Sequence, residues 1–96
     1  MWMYLEQLSK ARQELETIIG QYPEAADELD QLREAVDSWI SLVSGSSSPS
    51  RDQMKAAYLD VSMAVTLVGA KYRGQTNRIA RAAQKVDSRL QVLAMV

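Results

Sequence analysis

The 96 residues contain no cysteine and no histidine. Disulfides, Cys/His zinc sites, thiol nucleophiles and imidazole acid–base chemistry are therefore excluded by inventory. A glycine-rich phosphate loop after a strand, a G-x-S-x-G elbow and metal-ligand spacing are missing as well. A serine nucleophile would need a buried lysine or a carboxylate as its base, and every lysine falls on a predicted polar face or helix end. The expectation is a non-enzymatic protein with no catalytic residue, no cofactor and no metal. Met1–Leu5 is followed by Glu6 without a basic region or a long apolar stretch, so no secretory signal is expected. The uncharged run Val61–Ala70 is much shorter than the roughly 20 residues a bilayer crossing needs. The expected location is cytoplasmic, with export lacking a cleavable signal as the alternative.

What is present is 47% hydrophobic and 24% charged, the profile of a single globular domain spanning 1–96. A chain of this size buries only about two-thirds of its unfolded surface, and with disulfides and Cys/His metal sites excluded, association is the remaining support. The net charge of −1 conceals an asymmetry: residues 1–48 hold nine acids and three bases, residues 49–96 three acids and eight bases. A chain polarised in this way can pair its own halves or a second copy.

Apolar spacing predicts helices throughout. Leu5, Leu8, Leu15 and Ile19 define a helix over 3–19, with Gly20 and Pro23 as its stop. Pro23 suits the first turn of a second helix over 23–44, and Glu24, Asp27 and Glu28 suit the positive end of its dipole. Ala25, Leu29, Leu32, Val36, Trp39 and Val43 form its seam. The 45–50 stretch, GSSSPS, is a connector, and Ser50 with Gln53 has capping-box spacing. The third segment, 51–94, carries two apolar stripes in its first half. One is Met54, Tyr58, Val61, Val65, Val68 and Tyr72; the other is Ala56, Leu59, Met63, Leu67 and Ala70. Two stripes predict a central helix covered on both sides. The 4-3 phase runs on through Gln75, Ile79, Ala82, Val86, Arg89 and Leu93, which predicts a continuous or kinked helix past Gly74. The fold expected is all-α, a helical hairpin or small up-down helix bundle with a long C-terminal helix, divided at Gly74 if at all.

Asp27, Asp30, Glu34 and Asp37 make an acidic row on the second helix. Arg78, Arg81, Lys85 and Arg89 continue a basic row that starts at Lys71. The expectation is that the two rows meet, within one molecule or between copies, and set register. Nucleic-acid binding by the basic row is the weaker reading, because the acidic half would repel the same polymer and the pI near 5.3 lies far below the value of roughly 9 typical of such modules. The apolar ends of the chain, Trp2 and Tyr4 at one and Leu93 and Met95 at the other, complete the predicted partner-binding set.

A helix, a Ser/Pro turn and a long second helix resemble the needle subunits of type III secretion systems. The matching positions are Trp2, Tyr4 and Leu5; Pro49, Ser50, Gln53, Ala56 and Tyr58; Thr66 and Leu67; and Val86, Asp87 and Leu90. The departures are Pro23 within a longer first half, a turn with a single proline, and extra residues between Leu67 and Val86. The resemblance implies a bacterial secretion-like subunit that self-assembles. From the residues themselves, the expected function is binding a specific protein as an adaptor, chaperone or inhibitor.

Overall fold

The computed structural model describes residues 2–45, 49–72 and 77–95, with the side chains of Trp2, Met3, Asn77 and Met95 outside the description. The expectation at Gly74 and the serines at 46–48 lie outside the described residues. The elements are α1 (Trp2–Gln21), a 3-10 turn (Pro23–Ala25), α2 (Ala26–Gly45), α3 (Arg51–Tyr72) and α4 (Asn77–Met95). The protein is an all-α bundle 42 × 21 × 17 Å in extent. Each helix packs on its chain neighbours, and α4 closes against α1.

Contacts along each pair give the direction of the helices. Arg12 meets Asp37 while the later Glu16 meets the earlier Arg33 at 3.9 Å, so α1 and α2 are antiparallel. Trp39 meets Met54 and the earlier Glu28 meets the later Lys71, which reverses α3 against α2. Glu14 meets Arg89 at 3.0 Å, while Ile18 lines a groove with Arg81 and Ala82, so α4 runs against α1. The result is an up-down-up-down arrangement joined by short connections.

The core is one cluster drawn from all four helices. α2 buries Ala25, from the preceding turn, with Leu29, Leu32, Val36, Trp39 and Val43, the seam its 4-3 spacing predicts. α1 buries Leu8, Ala11, Leu15 and Ile18, with Leu5 and Ile19 at the margin. It does not stop at Gly20. No residue among those described has a positive φ, and the Tyr22 N–H still bonds the Ile18 carbonyl at 2.9 Å. Pro23, which has no N–H to donate, breaks the ladder instead and opens the 3-10 turn. At the start of α3 the capping box forms reciprocally: the Gln53 N–H donates to Ser50 Oγ at 3.1 Å, and the Ser50 N–H donates to Gln53 Oε1 at 2.8 Å.

Two features of the 51–94 segment differ from the periodicity. It is two helices packed side by side, α3 on α4. The α4 seam is Ile79, Ala83, Val86, Leu90 and Ala94, while Ala82 and Leu93 are half-buried and Arg89 is exposed. Once α4 lies beside α3, its inward face is set by two neighbours, α1 and α3, and the phase carried over from α3 no longer applies. The second difference concerns α3 itself. Met54, Val61, Val65 and Val68 are buried, with Tyr58 and Tyr72 half-buried beside them, but Leu59, Met63 and Leu67 are 58%, 66% and 56% exposed. The second stripe is uncovered because α3 sits at a corner of the bundle and has neighbours, α2 and α4, on its inner side alone.

Candidate interaction surface

The outer face of α3 runs Ala56, Leu59, Met63, Leu67, Ala70, all exposed. Helical periodicity places these five on one side, opposite Val61, Val65 and Val68. No charged residue occurs between Asp60 and Lys71. The stripe has two different rims. Toward α2, Met63 and Leu67 share a shallow groove with Asp60, Gln31 and Glu34. On the other side, Leu59, Met63 and Leu67 line a more apolar groove with Ser62 and Thr66. The Thr66 hydroxyl donates to the Ser62 carbonyl at 2.9 Å, so it is not a free donor on that rim.

α2 and α4 occupy opposite corners of the bundle, and the acidic and basic rows come near each other at the end of α3, where Asp27 adds to the field that raises Lys71. Each row finds a different partner. Asp37 takes Arg12 of α1 at 2.5 Å, and that carboxylate raises the guanidinium pKa by a direct hydrogen bond and by its charge. Asp30 pairs with Arg33 one turn along α2, while Asp27 and Glu34 remain exposed. In the basic row, Arg89 pairs with Glu14 of α1. Arg78, Arg81 and Lys85 line an open groove between α1 and α4 with Glu14, Thr17 and Tyr22. Pairs this exposed contribute little to stability and act mainly on register.

Lys71 joins the α2–α3 edge. It bonds Glu28, and the Tyr72 hydroxyl donates to Glu28 Oε2 and to the Glu24 carbonyl, each at 3.0 Å. Glu28 is held below the ordinary glutamate pKa, chiefly by the Lys71 hydrogen bond, and Lys71 is raised by the same bond. Tyr72 is raised by burial first and by Glu28 second. Tyr58, inside the bundle, is raised by burial and then by the Asp87 carboxylate it faces.

Of the apolar ends, Tyr4 and Leu93 are half-buried and pack against the core. The side chains of Trp2 and Met95 lie outside the described residues. Among the described residues, no group of three or more Asp or Glu could hold a metal ion, and no helix is long and apolar enough to cross a membrane. Among the described residues, Leu59, Met63 and Leu67 are three of the four exposed large hydrophobics, Val92 being the fourth, and they lie on a stripe whose residues the sequence names but assigns to the core. Its signal is nonetheless readable: in a square of four helices both neighbours of a member lie on its inner side, so a helix with apolar stripes on opposite sides leaves the outer one uncovered. Comparison of the chain with known protein families, curated proteins and solved structures returns no match.

Proposed function

We propose that this protein works by protein–protein contact rather than by chemistry, and that the outer face of α3 is the surface through which it does so. The observation that carries the reading is the exposure of Leu59, Met63 and Leu67 in a contiguous row. Single exposed apolar residues are ordinary, but a row backed by uncharged neighbours marks a contact site. Methionine at its centre suits contact, since an unbranched, polarisable side chain adapts to the surface it meets. The functional class is an adaptor, chaperone or inhibitor. A self-assembling, needle-like subunit is the alternative the sequence resemblance offers, and a nucleic-acid module using Arg78, Arg81 and Lys85 is the next.

A photo-crosslinking residue placed at position 63, in the full-length chain inside its host cell, tests the reading against the same residue at position 85. The expected result is a discrete protein adduct from position 63 and none from position 85. A nucleic-acid adduct from position 85, with no adduct at 63, would overturn the reading and promote the basic face. Filaments in negative stain would promote the needle-like alternative.

A further inference from the structure

The order of residues along the exposed stripe is symmetric. Outward from Met63 the chain meets Leu at four residues in either direction, Leu59 and Leu67, and Ala at seven, Ala56 and Ala70. A stripe that reads the same in both directions sets matched residue layers against each other when two copies meet antiparallel across a two-fold axis, the isologous contact of symmetric dimers. We propose that the outer face of α3 is the interface of a two-fold dimer, in which α3 packs antiparallel on α3 of a second copy with Met63 on the axis; this rests on the contact reading above and names its partner.

In that pairing, Leu59 of one copy lies level with Leu67 of the other, and Ala56 with Ala70. The alanines at the ends let the helices approach, and the leucines fill the layers on either side of the axis. The lysines of α3 are kept apart. Lys55 and Lys71 are equidistant from Met63 but lie on opposite flanks, Lys71 toward α2 where it bonds Glu28, and Lys55 on the side of Ser62, seven residues along. They do not meet across the pair. Asp60 lies on the α2 flank, beside Glu34, so the axis sets Asp60 of one copy on the same edge as Lys71 of the other, while the opposite edge carries Lys55 of both copies and gains no such pairing. The net charge of −1 sets no general repulsion between copies.

The size of the contact decides its strength. Residues 56–70 span about 21 Å of helix, and one helix face of that length falls well short of the roughly 800 Å² per partner of a stable interface. The rims on α2 and α4 must contribute, and the 42 × 21 Å side of the bundle is large enough for them to do so. The expected species is a reversible dimer in the micromolar range rather than a permanent one.

The experiment combines mass and register, using the absence of native cysteine. Sedimentation equilibrium of the full chain should show monomer passing to dimer with rising concentration, and Met63→Glu should weaken association by at least tenfold while leaving the thermal midpoint unchanged in dilute samples where both chains are monomeric. A short bis-maleimide, matched to a helix spacing of about 8–10 Å, should link Met63→Cys to itself. It should link Leu59→Cys to Leu67→Cys in a mixture faster than either to itself. A monomer at every concentration would overturn the proposal, as would Leu59→Cys linking to itself as fast as Met63→Cys, which is a parallel pair. If the chain stays monomeric yet position 63 crosslinks to another protein in the cell, the second copy is wrong and the contact reading stands; if neither occurs, both fail.

Discussion

The indole N–H of Trp39 points at the thioether sulfur of Met54 across 3.3 Å, inside the bundle where α2 meets α3. Trp39 is fully buried and Met54 nearly so. Tyr58, one turn further along α3, meets the indole edge to face at 6.4 Å. Burial of an indole is favourable only when its N–H has an acceptor, and a soft sulfur supplies one without bringing charge into the core. Trp39→Ala should cost about 3–5 kcal/mol. Met54→Leu conserves volume but orphans the N–H, and should cost about 1–3 kcal/mol. Urea unfolding of the two variants checks both values. A smaller loss for Trp39→Ala than for Met54→Leu would show that the indole is not a centre of the core.

The two faces of α3 should respond oppositely to charge. Val65→Asp buries an unpaired carboxylate, costs several kcal/mol, and should leave a domain this small unfolded or nearly so. Leu59→Asp, six residues away on the exposed face, should change stability by no more than about 0.5 kcal/mol. Circular dichroism melts distinguish them. Equal losses at the two positions would mean that the second stripe is covered after all.

The start of α3 rests on Ser50. Ser50→Ala leaves the Gln53 N–H without its acceptor and should cost about 0.5–2 kcal/mol. Ser50→Asp should restore most of that loss, because a carboxylate both caps the helix and suits its dipole. A neutral Ser50→Ala would show that solvent satisfies this end of the helix equally well.

Much of this was legible in the chain. The α2 seam from Ala25 to Val43 follows from a 4-3 spacing with a single interpretation, and Ser50 and Gln53 announced their cap because a capping box is local chemistry. Other features depend on tertiary arrangement, which periodicity does not carry. Gly20 has the character of a helix stop, but α1 runs on to Gln21 and the Pro23 ring, lacking an N–H, ends it. Ala82 and Arg89 kept the phase of α3, whereas Ala83 and Leu90 face the core, since the chain had turned before α4 began. The acidic and basic rows are real, yet which helices become neighbours decided that Asp37 would meet Arg12 and Arg89 would meet Glu14. The spacing through Met63 marks an apolar stripe but not whether it is covered, because a hydrophobic pattern counts faces and not the helices available to pack on them.

Stability should form a plateau in pH with two edges. Glu28 is depressed below its ordinary 4.5, so it contributes stability above that value and loses it as pH falls through the lower folded value. Lys71, Tyr72 and Tyr58 are raised above 10.5, 10.0 and 10.0 respectively, so their contributions are complete below those values and vanish as pH rises through the folded ones. Thermal midpoints should therefore fall below about pH 4 and above about pH 10. Glu28→Gln should flatten the acid edge and weaken the alkaline one, since it removes the partner of both Lys71 and Tyr72. An unchanged profile would show that solvent screens this cluster completely.

The claim that α3 keeps one face in the core and offers the other for contact is tested most directly by its two methionines. In a chain carrying ¹³C-methyl methionine, a soluble paramagnetic probe should leave the Met54 signal sharp and broaden that of Met63 at low concentration. As concentration rises, Met63 should become protected while Met54 stays as it was. A Met63 signal as sharp as that of Met54 in the most dilute sample would contradict the account.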